Sequence, residues 1–141
     1  MAQLGAGYAF RSIFGVPIHA GTVSVAVGGS GRSAAGYASL HYLQGQTQYG
    51  RRVQALQAGG GVDWREERFR FGLGGKLGAV TAESVSHTPD SETLSLGILA
   101  TFAYDLYRHR SNDGAWYAEL ATEADVVPMY GVTLSLGYRW P

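Results

Sequence analysis

Cysteine is absent from this chain, so disulfide frameworks, thiol catalysis and thiolate metal sites are all excluded. Neither sign of charge predominates: eleven Lys plus Arg balance eleven Asp plus Glu. With no net field there is no broad attraction to nucleic acid, and none is expected as a partner. Long apolar runs are missing too. No stretch of about 18 such residues occurs, which rules out a transmembrane helix. It does not rule out a barrel, whose strands cross with about 9–11 alternating residues that hydropathy averages miss. Nor does a charged segment followed by an apolar core open the sequence; Met1-Ala2-Gln3 reads as a start placed before a mature secreted chain. What is abundant is glycine, 21 of 141 residues and roughly twice the ordinary share, together with nine tyrosines. That combination suggests β-structure. The length suits one domain, residues 1–141, able to close a single core.

The dominant sequence period is two. It predicts strands near 3–14, 17–28, 33–45, 51–63, 67–82, 93–107, 115–127 and 130–140. The connections carry turn chemistry: Gly15-Val16-Pro17, Gly28-Gly29-Ser30-Gly31, Asp63 to Glu67, His87 to Ser91, Ser111-Asn112-Asp113-Gly114 and Val127-Pro128-Met129. Hairpins between sequence neighbours imply an up-and-down meander. The expected fold class is all-β, an eight-stranded antiparallel barrel.

The side of the sheet that carries the grease decides between a membrane barrel and a soluble one. In the sixth segment Leu94, Leu96, Ile98, Ala100, Phe102, Tyr104 and Leu106 form one face, against Ser95, Gly97, Leu99, Thr101, Ala103 and Asp105. The fifth sets Phe69, Phe71, Leu73, Gly75, Leu77 and Ala79 against Arg68, Arg70, Gly72, Gly74, Lys76 and Gly78. The seventh and eighth repeat the pattern, the last with Val132, Leu134, Leu136, Tyr138 and Trp140 in one row. The first four segments are less clean: Tyr37, Ser39 and His41 share a face, and Val23, Val25 and Val27 have little polar contrast. A soluble lipocalin-like ligand-binding barrel would turn the apolar rows inward. Against it, Gly72, Gly74, Gly78, Gly97 and Gly137 lie on the polar face, where solvated strands prefer Thr, Lys or Glu. Glycines there leave room for long charged side chains inside a narrow lumen. The expectation is therefore a transmembrane barrel with lipid outside and paired charges within. Tyr8, Phe10, Phe14, Trp64, Tyr104, Tyr107, Trp116, Tyr138 and Trp140 fall near strand ends, where interfacial girdles sit.

The closing residues Gly131-Val132-Thr133-Leu134-Ser135-Leu136-Gly137-Tyr138-Arg139-Trp140 resemble the C-terminal strand of Gram-negative outer-membrane β-barrels, departing from it only in the extra Pro141. Leu4-Gly5-Ala6-Gly7-Tyr8-Ala9-Phe10 looks like a first barrel strand, and by strand count the resemblance to small eight-stranded members covers the whole chain. It implies a bacterial outer-membrane location and lipid as surroundings. It also implies recognition of the last strand by the barrel-assembly machinery, and a structural, porin-like or surface-interaction role.

The inward face is expected to collect a charge network of Arg11, Arg51, Arg68, Arg70, Lys76 and Arg139 with Asp63, Asp105, Glu119, Glu123 and Asp125. A mixed set argues for a salt-bridged plug over a wide channel, because unpaired charge in a dry interior is costly. Glu119 and Glu123 stand roughly 13 Å apart along a strand, too far for a coupled acid–base pair. His19, His41, His87 and His109 show no metal-ligand spacing, so neither a metal nor a cofactor is expected. Ser39 and His41 are similar, in reversed order, to the His-x-Ser motif of lipid A deacylases, small outer-membrane barrels with a nearby acid on the membrane-facing surface. That resemblance implies a second reading, a lipid-modifying hydrolase using Ser39 and His41. Gly74-Gly75-Lys76-Leu77 lacks the Ser/Thr and helix of a phosphate loop. Arg51-Arg52 and Arg108-His109-Arg110 are short basic clusters able to meet lipid phosphates at a headgroup level. Glu83 to Glu92 is the longest polar connection and a natural surface segment.

Overall fold

The computed structural model describes residues 1–13, 15–29, 31, 33–83, 91–110, 113–126 and 129–141, with backbone alone at 91 and 129. Eight strands follow one another: β1 (Ala2–Ile13), β2 (Val16–Gly28), β3 (Ala34–Thr47), β4 (Arg52–Glu66), β5 (Phe69–Ala82), β6 (Ser91–Arg108), β7 (Ala115–Asp125) and β8 (Met129–Trp140). Each pairs antiparallel with the next, and β1 pairs with β8 from Ala2↔Trp140 to Ile13↔Met129, closing the barrel. Closure leaves no sheet edge, so backbone N–H and C=O groups are satisfied without water. Both chain termini lie at one rim, here the terminal end. The ends of β1, β3, β5 and β7 and the starts of β2, β4, β6 and β8 lie at the opposite rim, the far end, with residues 48–51 joining β3 to β4 there. Phe14 and residues 84–90 fall outside the described residues, and with them most of the predicted polar connection.

Alternation along each strand assigns the faces. Leu94, Ile98, Leu134 and Leu136 are exposed by 60–66%, whereas Arg70 and Lys76 are exposed by 4% and Asp63 by 3%. The apolar rows are therefore outside and the charges inside, in β1 to β4 as in β5 to β8. This overturns the soluble lipocalin-like alternative, which needs the large apolar residues in the lumen. On β8 the outward row runs from Tyr130 to Trp140. That is about 26 Å along the barrel axis for a rise near 3.4 Å per residue and a tilt near 40°, close to the apolar height of barrels that cross lipid. On β3 and β4 the belt ends lower, at Tyr42 and Leu56, and above it the outer face turns polar with Gln44, Gln46, Arg52 and Gln54. Inside the far end, Ile18, Leu43, Val53 and Val80 pack with Ala9, Ala20 and Ala55 and cap the lumen.

Two local departures from the predicted pattern matter. β4 continues through Trp64 to Glu66, and a two-residue turn at Glu67-Arg68, with Glu67 in a left-handed conformation (φ 51°), leads into β5. In β6 the register shifts between Asp105 and Tyr107, so Leu106 and Tyr107 both face outward. Tyr107 thereby joins an edge-to-face series at the terminal end with His109, Tyr138, Trp116 and Trp140.

Inward glycines are set by close approach. A Cβ at Gly137 would collide with the Leu4 carbonyl oxygen and the Tyr117 ring, and one at Gly72 with Thr101 and Asp63, whereas one at the outward Gly75 would come no nearer than 3.8 Å. Gly137→Val is expected to destabilise the barrel by roughly 1–3 kcal/mol through overpacking. Gly75→Ala should leave the urea midpoint, read by tryptophan fluorescence, unchanged or slightly raised.

Candidate functional site

Inside the barrel the charged side chains form two groups. In the first, Glu123 on β7 receives Arg11 from β1 and Lys76 from β5: Arg11 Nε lies 2.5 Å from Glu123 Oε1, and Lys76 Nζ bonds Glu123 Oε2. Lys76 Nζ also lies 2.9 Å from Asp125 Oδ1. Ser95 donates to Asp125 (2.5 Å), Gln57 donates to Ser95 (2.9 Å), and Arg11 donates to Gln57 (3.3 Å). The circuit returns to its start after crossing the full width of the lumen. Arg11 Nε and Glu123 Oε1 have no aligned hydrogen-bond partner, so their approach is a charge contact and the aligned bonds of Arg11 and Glu123 go to Gln57 and Lys76. Lys76 is the chain's only lysine.

The second group lies nearer the terminal end. Arg70 donates to Gln3 (2.8 Å) and Asp63 (3.5 Å), stands 3.9 Å from Glu119, and lies over the Tyr117 ring at 4.8 Å. Asp105 Oδ2 accepts from Arg139 (2.6 Å) and from Arg108 (2.9 Å), whose guanidinium also reaches the Glu67 carbonyl. Two small cavities remain between side chains. One of about 30 Å³ is lined by Arg11, His41, Gln57, Lys76 and Glu123, and one of about 20 Å³ by Tyr37, Ser39, Asp63, Tyr117 and Glu119. Each has room for about one water. The Tyr37 hydroxyl is buried with no protein partner among the described residues and lines the second.

The sequence matches no protein-family model and no curated protein. Solved structures do match its fold. Neisserial surface protein A superposes with a TM-score of 0.64 at 16% identity, covering 99% of this chain and 94% of that one. Ail, the attachment invasion locus protein of Yersinia pestis, gives 0.61 at 13% identity over 99% and 96%. The N-terminal β-barrel domain of Pseudomonas aeruginosa OprF gives 0.53 at 13% identity over 96% of each chain. The chain has the fold of the small eight-stranded outer-membrane barrels. All three of these neighbours are bacterial outer-membrane proteins.

Of the residues singled out in the sequence, Arg11, Lys76 and Glu123 meet in the first group, and Arg70, Asp105, Glu119 and Arg139 lie in the second. Glu119 and Glu123 belong to different groups. Two of the expected lumen cations are elsewhere. Arg68 occupies the turn after β4 and is exposed, because the hairpin takes it out of the strand alternation. Arg51 precedes β4 at the far rim, where its backbone N–H meets Thr47 Oγ1 and its side chain donates to the Glu83 carbonyl (3.2 Å). Ser39 and His41 are hydrogen-bonded at 2.9 Å, with Asp63 and Glu119 lining the same cavity, but the pair faces the lumen. The resemblance to lipid A deacylases implies a membrane-facing pair, and the structure places Ser39 and His41 on the inner face instead. Ser95 stood on the predicted inward face of its strand without being assigned to the charge network, as did Tyr117, whereas Gln3, Gln57 and Arg65 were not singled out as lumen groups. Their only sequence signal is shared parity with known inward neighbours, Gln57 with Asp63 and Ser95 with Gly97.

Because Glu123 is, among the described residues, the carboxylate that contacts both Arg11 and Lys76, Glu123→Gln leaves Arg11 without its contacting anion and Lys76 with Asp125 alone, and is expected to cost roughly 3–5 kcal/mol in urea unfolding. The double variant Arg11→Met with Glu123→Leu removes one charge of each sign and leaves Lys76 paired with Asp125, so it should lie closer to wild type than the single one.

Proposed function

We propose that the chain is an integral outer-membrane barrel whose lumen is closed, and that its role is structural or surface-interacting. The observation that carries this reading is the charge balance within an apolar exterior. Among the described residues, five inward cations, Arg11, Arg65, Arg70, Lys76 and Arg139, are matched by five inward anions, Asp63, Asp105, Glu119, Glu123 and Asp125. A conducting pore of one selectivity would carry an excess of one sign along an open path. Here opposite charges cross the lumen and neutralise one another, and the apolar cap around Leu43 and Val53 closes the far end. The lipid of the bilayer is then the partner of the outward rows, and the barrel-assembly machinery the reader of β8. An interactive role is supported by the polar outer wall above the belt and by fold relatives named for surface location and attachment.

The test is refolding of the purified chain with and without detergent micelles, followed by circular dichroism and heat-dependent mobility on a gel, then planar-bilayer recording. Folding only with detergent, and no conductance steps, is the expected result. A monomeric β-protein formed without detergent overturns the membrane reading, and step conductance overturns the closed lumen. Ile98→Arg, in the middle of the outward row of β6, should lower stability in bilayers by about 2–4 kcal/mol in urea titrations.

A further inference from the structure

Cross-strand pairing sets Tyr8 on β1, Gly21 on β2, Gln44 on β3 and Gln54 on β4 in one outward row. Gly21 leaves a gap in that row: a Cβ there would have nothing within 4 Å. The gap opens into a groove of about 510 Å³ on the outer wall, lined by Gly21, Val23, Tyr42, Gln44, Gln46 and Arg52. Side chains beside and within it are tied to one another. Tyr8 bonds His19 at 2.7 Å, Phe10 meets His19 edge-on, and Tyr42 donates to Gln44 at 3.2 Å. Arg52 is exposed and forms no ion pair among the described residues.

We propose that this notch binds the headgroup of a phosphorylated glycolipid. The chemistry has three parts. Val23 and the apolar rows beneath it meet acyl chain, so the ligand is amphipathic and held in the leaflet. Gln44 and Gln46 each carry an amide donor and an acceptor, the match for sugar hydroxyls, and Tyr8, His19 and Tyr42 offer ring faces and polar tips beside them. Arg52 supplies a planar guanidinium for phosphate. The notch sits directly above the apolar belt, the height at which headgroups lie. That placement rests on the membrane reading above.

The experiment is native mass spectrometry of the full chain in detergent micelles, titrated with diphosphorylated lipid A, phosphatidylglycerol or phosphatidylcholine, each variant first checked for folding by heat-dependent mobility. Wild type is expected to retain lipid A in preference to both phospholipids. Arg52→Gln should weaken that retention about tenfold, as the loss of a charge-assisted contact does. Gly21→Leu fills the gap and should weaken it at least as much, while Arg110→Gln at the terminal end leaves it unchanged. Retention of lipid A by both notch variants at the wild-type level overturns the proposal, as does equal retention of phosphatidylcholine or phosphatidylglycerol by wild type. A wild-type chain that folds in micelles and holds no lipid A refutes the notch alone. One that fails to fold there refutes the membrane reading first.

Discussion

Everything in this molecule depends on the pairing of β1 with β8. Ala2–Ile13 and Met129–Trp140 lie side by side over their whole length, and that seam turns a meander into a cylinder without edges. In lipid, an open edge leaves a row of backbone groups without partners, so closure is the condition for crossing at all. Once the seam is made, alternation along each strand has only one meaning, lipid on one side and lumen on the other. A single-residue slip of β8 at the seam would bring Arg139 to the outside and Leu136 to the inside.

A closed eight-stranded barrel is narrow, and the lumen must be filled. This chain fills it with long charged side chains over a floor of glycine. The two devices are coupled: Gly131 is shaped by Arg11 and Glu123, Gly97 by Asp125, Gly72 by Asp63, and Gly137 by Tyr117. Restoring a side chain at any of them would displace a partner in the network. Burial of so many charges is stabilising only as a set, since removal of one partner leaves the other desolvated and alone.

The two rims have opposite characters. At the terminal end the lumen carries Arg70, Asp105 and Arg139, and the outside carries the ring series of Trp116, Tyr138 and Trp140. At the far end the inside is apolar, around Ile18, Leu43 and Val53, and the outside bears amides and Arg52. Polarity thus crosses the barrel wall from one rim to the other. Apolar side chains line the inside of the far mouth, while the outer wall beside it presents hydrogen-bonding groups. The aromatic rim suits the opposite interface.

The period of two, the turn residues and the glycine on the polar face were enough to predict eight strands, their order and, in β5 to β8, their orientation. The predicted limits of β2 and β8 differ from the observed ones by a single residue at most. In β1 to β4 the pattern was weaker because small residues and amides occupy both faces, as at Gly21, Gly36, Gln44 and Gly59. Only pairing with neighbours fixed their direction. Parity also identified most of the charged lumen residues, since a charge on an inward position has nowhere else to go. It failed at Arg51 and Arg68, where a turn interrupts the alternation, and it could not give Gln57 or Ser95 a partner, because that depends on what stands across the lumen. The sequence by itself determined which side chains share a face, because that is a property of one strand. The tertiary structure alone decided which of them meet: the stagger of the strands sets which residues share a level, and it brought β1, β5 and β7 together at Glu123 and turned Ser39 and His41 toward the lumen.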